Sequence, residues 1–105
     1  MYFAAGKTDI KPRFSVRLKD VVKKMKARAI KRIVLEGHAD AVGDGTRNEE
    51  LARERAEAIA TYLKKRGIDA GRIDIASFGD DKPLKPNTTP KNRLRNRRVE
   101  FYVAE

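Results

Sequence analysis

Residues 32–56 read RIVLEGHADAVGDGTRNEELARERA, and this stretch decides the fold. Arg32–His38 alternates, with Ile33, Leu35 and Gly37 on one side and Val34, Glu36 and His38 on the other, as a strand requires. Small residues from Ala39 to Gly45 then make a loop. Asn48 reads as the cap of a helix, with Glu49 and Glu50 in its first turn near the positive end of the helix dipole. Leu51, Ala52, Ile59, Tyr62 and Leu63 form its apolar stripe, and Gly67 suits its C-terminal end.

The pattern repeats outward in both directions. Upstream, Tyr2–Ala4 reads as a short strand, and Thr8 to Pro12 reads as a helix start with a capping side chain and a proline in the first turn. Phe14, Leu18, Val21, Val22 and Met25 place one apolar stripe on a helix over 11–27, and its other face is lysine and arginine. Downstream, residues 72–78 read as a strand, Thr89-Pro90 as the cap of a short helix reaching Leu94, and residues 97–103 as a last strand. The order βαβαβ(α)β predicts an α/β (α+β) architecture: one mixed sheet with helices on one face, and an antiparallel last strand. At 105 residues, positions 1–105 are expected to form a single domain.

Composition narrows the function classes. There is no cysteine, so no disulfide and no thiolate metal site. The longest apolar run is Met1 to Ala5, whereas a membrane-spanning helix needs about 20 such residues, so no span is expected. No signal peptide is evident either, and an exported protein would contain this chain as an excised domain. No glycine-rich phosphate loop occurs, and the single histidine, His38, has no nucleophile pattern around it. His38, Asp40 and Asp44 are a conceivable metal set without supporting spacing, so neither enzyme activity, nor a cofactor, nor a metal is expected. The net charge of +10 invites a nucleic-acid reading. Yet residues 1–35 hold eleven basic and two acidic side chains, mostly on the solvent face of the first helix, so no specific nucleic acid is expected.

Four ordered blocks carry a resemblance: EGHADAVG at 36–43, NEELARERA at 48–56, SFGDDKP at 77–83 and Asn96-Arg97-Arg98-Val99-Glu100. They resemble the OmpA-like C-terminal domain family of outer-membrane porins and peptidoglycan-associated lipoproteins. That family carries E-G-H-T-D-x-x-G, N-x-x-L-S-x-x-R-A, G-x-G-E-x-x-P and N-R-R-V-E. The resemblance implies non-covalent binding of peptidoglycan in the periplasm, anchoring a membrane protein or lipoprotein to the cell wall. It also implies that Asp40 and Arg55 grip the diaminopimelate of the stem peptide, with Asn48 and Arg97 at the family's other positions. His38 and Gly43 would support the loop. The chain departs from the family at Ala39 and Ala52, where the pattern has Thr and Ser, and this thins the polar lining.

The physical chemistry agrees with that implication. The free end of meso-diaminopimelate carries an ammonium and a carboxylate on one carbon. Asp40 suits the ammonium, and Arg55 suits the carboxylate as a bidentate pair. Helical side chains lean toward the helix N-terminus, which aims Arg55 at the loop holding Asp40. The parity of Arg97 puts it on the helix side of the sheet, and that of Arg98 on the opposite side. A basic nucleic-acid module and a protein–protein scaffold with a vestigial wall site are the rival readings, and a homodimer is left open.

Overall fold

The computed structural model describes residues 1–3, 7–39, 45–79, 91 and 96–104. Five elements frame it: α1 Ser15–Lys26, β1 Arg32–His38, α2 Gly45–Lys65, β2 Ile73–Gly79 and β3 Val99–Ala104. The strands form one mixed sheet in the order β2-β1-β3, with β2 parallel and β3 antiparallel to β1. On the far side of β3, Tyr2 makes an isolated antiparallel bridge to Arg98. Among the described residues, the opening segment joins the sheet at this bridge, with backbone hydrogen bonds from Met1 and Phe3 to Val99 and Arg97 on either side of it. The strand expected over Tyr2–Ala4 is met by this pairing at Tyr2, and Ala4 lies outside the described residues.

Alternation along β1 sends Ile33 and Leu35 into the core beneath the helices. The α1 stripe delivers Leu18, Val22 and Met25 to the same cluster, and α2 delivers Ala56, Ile59, Ala60 and Leu63. Each fully buried Leu, Ile or Met contributes about 1.5–3 kcal/mol. The helix expected over 11–27 is split: Pro12–Phe14 is a 3-10 turn, and α1 follows at Ser15. Neither segment has the expected side-chain cap. Proline at the first position fixes φ and has no N–H to satisfy, so the turn starts without one.

The C-terminal end of α1 is closed by a residue distant in sequence. Arg72 donates to the carbonyls of Met25 (2.7 Å), Ile30 (2.8 Å) and Lys31 (2.7 Å). Arg28, in the turn after α1, has φ of 60°, a region that disfavours residues with a side chain. The end of α2 follows the expected form: Gly67 has φ of 95°, and the Ile68 N–H returns to the Leu63 carbonyl at 3.2 Å. The short helix expected from Thr89 to Leu94 falls almost wholly outside the described residues.

Candidate functional site

The site is built at the carboxyl end of β1. Gly37 faces α2 there, and a Cβ on it would lie 2.0 Å from the Ala52 carbonyl oxygen. Only glycine lets the helix backbone press against the strand this closely. Asn48, Ala52 and Arg55 follow at spacings of four and three, so they form one stripe on α2 above that contact.

Arg55 is fully buried. Its Nε donates to the Lys7 carbonyl at 2.9 Å, and its Nη1 donates to the His38 carbonyl at 3.4 Å. The guanidinium carbon stands 5.5 Å from the centroid of the Phe3 ring. One side chain of α2 thus gathers the opening segment and the end of β1, two residues before Asp40 in sequence. Asp40 and Gly43 themselves lie outside the described residues.

Arg97 reaches the same place from the other end of the chain. Its Nε donates to the Phe3 carbonyl at 2.9 Å, and the Phe3 N–H donates to the Arg97 carbonyl at 2.8 Å. Phe3, with no exposed surface, therefore sits between Arg55 and Arg97.

Asn48 is not the helix cap. α2 begins three residues earlier, at Gly45, so Asn48 lies inside the helix. Arg47 favours that path by reaching Glu50 (3.7 Å) and Glu54 (3.3 Å) along one face. The Asn48 side chain is buried, and its Nδ2 has no hydrogen-bond acceptor among the described residues.

His38 is divided between two faces. Its carbonyl meets Arg55, while its ring lies on the sheet face opposite the helices. The ring is 1% exposed and stacks on Phe78 with centroids 5.5 Å apart. Its Nε2 is 3.5 Å from Glu36 Oε1 and 3.6 Å from Glu100 Oε2. Burial, with help from the Arg98 guanidinium, holds its pKa below the ordinary value against the pull of both carboxylates. Burial also works to raise the Glu100 carboxyl, but hydrogen bonds from Tyr102 and Arg98 outweigh it, and the net shift is downward. Arg98 takes the face its parity predicts and donates from Nε to Glu100 Oε1 at 3.1 Å. This outer-face cluster is what sequence reasoning missed. The signal was present in the shared parity of Glu36 with His38 and of Arg98 with Glu100, but nothing local joins the two strands.

An open groove of about 460 Å³ adjoins this cluster at the edge of β3, lined by Arg17, Val21 and Phe101 together with Arg98, Glu100 and Tyr102. Arg55, Asn48 and Arg97 do not contribute to it.

The OmpA family profile matches residues 2–97, and the chain belongs to the OmpA family. Among individual relatives, the peptidoglycan-associated lipoprotein of Pseudomonas aeruginosa is 33% identical over 100 residues, covering 95% of this chain and 59% of that protein. The peptidoglycan-binding protein ArfA of Mycobacterium bovis is 36% identical over 86 residues, covering 82% of this chain and 26% of that protein. The chain thus spans only part of the length of these relatives. In three dimensions it is similar to the peptidoglycan-associated lipoprotein from Burkholderia pseudomallei, with a TM-score of 0.90 at 23% identity, covering 95% of this chain and 85% of that one. The mixed sheet with its helices is therefore the OmpA-like fold. Among the described residues, no helix is long and apolar enough to cross a membrane.

Proposed function

We propose that this domain binds peptidoglycan non-covalently by the diaminopimelate end of the stem peptide and tethers a larger envelope protein to the wall from the periplasm. The observation that carries the reading is the buried Arg55 at the exit of β1, with Asn48 two turns away on the same stripe. The Lys7 and His38 carbonyls fix the plane of the guanidinium before any ligand arrives. Such preorganisation lowers the ordering cost of binding. In this reading Arg55 takes the ligand carboxylate and Asp40 the ammonium. The Asn48 Nδ2 donor, buried and without an acceptor among the described residues, takes a further ligand oxygen. Arg97 acts through Phe3, holding the wall of the pocket. The names of the lipoprotein and of ArfA, both referring to peptidoglycan, point the same way.

Two or three charge-assisted contacts of roughly 1.5–3 kcal/mol each give an affinity of about micromolar to millimolar. Many stems on one sacculus raise the effective strength further. The test is co-sedimentation with isolated sacculi. Asp40→Ala and Arg55→Ala are expected to leave the protein in the supernatant, while Arg53→Ala, an exposed neighbour on α2, pellets like wild type. Because Arg55 is buried, Arg55→Lys is run beside it, with circular dichroism to confirm folding. It keeps the charge but not the fork, so it is expected to bind weakly. Pelleting of both alanine variants would remove the proposed site. Equal binding to walls with lysine in place of diaminopimelate would remove the zwitterion as the ligand.

A further inference from the structure

We propose that the outer face of the sheet holds a site for a divalent transition-metal ion of the zinc class, formed by His38 Nε2 and one carboxylate oxygen each from Glu36 and Glu100. The site is independent of the wall-binding reading and lies on the opposite face of the sheet. It also differs from the His38, Asp40 and Asp44 set that the sequence brings to mind.

The backbone puts the three ligands together. Glu36 and Glu100 are paired in the antiparallel register of β1 and β3, so their side chains leave the same face side by side. His38 follows Glu36 by two residues and shares that face. Their ligand atoms all lie within 4.8 Å of one another. The distances from Nε2 to the two carboxylates, 3.5 and 3.6 Å, are too long for good hydrogen bonds. They match the edge of a tetrahedron instead: metal–ligand bonds of about 2.0–2.1 Å put neighbouring ligand atoms roughly 3.3–3.5 Å apart.

A second observation points to a ligand. The His38 side chain is 1% exposed; its Nδ1 has no hydrogen-bond partner among the described residues, and its Nε2 has only the long contacts to Glu36 and Glu100. A buried imidazole without a good partner is costly, and its Nε2 lies close to both carboxylates. The surroundings also resemble the outer support that orients metal ligands. Phe78 fixes the ring plane, Arg98 holds Glu100 Oε1, and the Tyr102 hydroxyl donates to Glu100 Oε2 at 2.9 Å. One imidazole with two carboxylates suits zinc and its neighbours, whereas calcium wants six to eight oxygens and magnesium retains most of its waters. The carboxylate side chains are 23% and 32% exposed, which gives the ion a way in and leaves room for water as a fourth ligand. The Arg98 charge opposes the ion, so the affinity is moderate rather than that of a closed structural site. Bound metal would staple β1 to β3 at the strand end whose carbonyl holds Arg55.

The test titrates chelator-treated protein with Zn²⁺ by calorimetry and with Co²⁺ by visible absorption. One equivalent is expected to bind, with tetrahedral cobalt bands, a raised melting temperature and a shift of the ring nitrogen signals. His38 is the only histidine in the chain, so those signals are unambiguous. Glu36→Gln and Glu100→Gln are each expected to weaken binding by about tenfold or more, by the scale of losses at metal sites. Asp74→Asn, which removes an exposed carboxylate on the same face, is expected to change nothing. The Gln variants keep size and hydrogen bonding, and circular dichroism confirms their folding. No binding at millimolar zinc overturns the site, as does binding that survives in both Gln variants. Loss in only one variant overturns the three-ligand assignment.

Discussion

At Gly37 the chain has no room for a single added carbon. The Ala52 carbonyl oxygen would stand 2.0 Å from it, and this oxygen is backbone that cannot swing aside. Gly37→Ala must therefore push α2 off β1, with an expected cost of about 1–3 kcal/mol or more. Urea unfolding measures the loss, and a midpoint equal to wild type would mean that the close approach is unimportant. That Arg55 reaches back to the end of β1 follows from helical geometry, because it depends only on its place in α2. That its guanidinium would be anchored by the Lys7 carbonyl was not legible in the sequence, since no pattern links those two positions. The role of Asn48 was misread for a related reason. Asparagine is a favoured cap, but Gly45, Thr46 and Arg47 include no apolar residue to reveal that the helix has already begun. Its earlier start shows in the surface ion pairs of Arg47, which leave no periodic trace.

Among the elements, the junction between α1 and β1 depends on Arg72, just before β2. Three carbonyls around the end of α1 accept from that one guanidinium. Arg72→Ala leaves them to water and is expected to cost about 1–3 kcal/mol. The loss should appear in hydrogen exchange as faster opening of the last turn of α1, with α2 unchanged. Uniform acceleration of both helices would assign Arg72 to global stability instead. Strand β1 and both helix stripes were legible because alternation and three-four spacing are local signals. The join of Glu36 to Glu100 was not, because it exists only in the register between two strands far apart in sequence.

For the whole molecule, acid is the expected weakness. His38 has its pKa lowered in the folded state, so the unfolded chain takes up the proton first as pH falls. Its contribution is complete above the ordinary value of 6.5 and drains away below it. Glu100, also lowered, adds a second loss below 4.5. Urea midpoints measured with chelator present should fall from pH 7 to 6, again from 6 to 5, and more steeply below 4.5. A midpoint that rises between pH 6 and 5 would mean that Glu36 and Glu100 outweigh burial at His38.

The bond from Arg97 to Phe3 joins residues 94 positions apart. Closing so long a loop costs only slightly more than closing a shorter one, so the span itself is a small burden. Phe3, Arg97 and Arg55 thus form a clasp across distant parts of the sequence. Any truncation that removes Phe3 or Arg97 opens the surroundings of Arg55, however much of the contact between the helices and β1 it leaves in place.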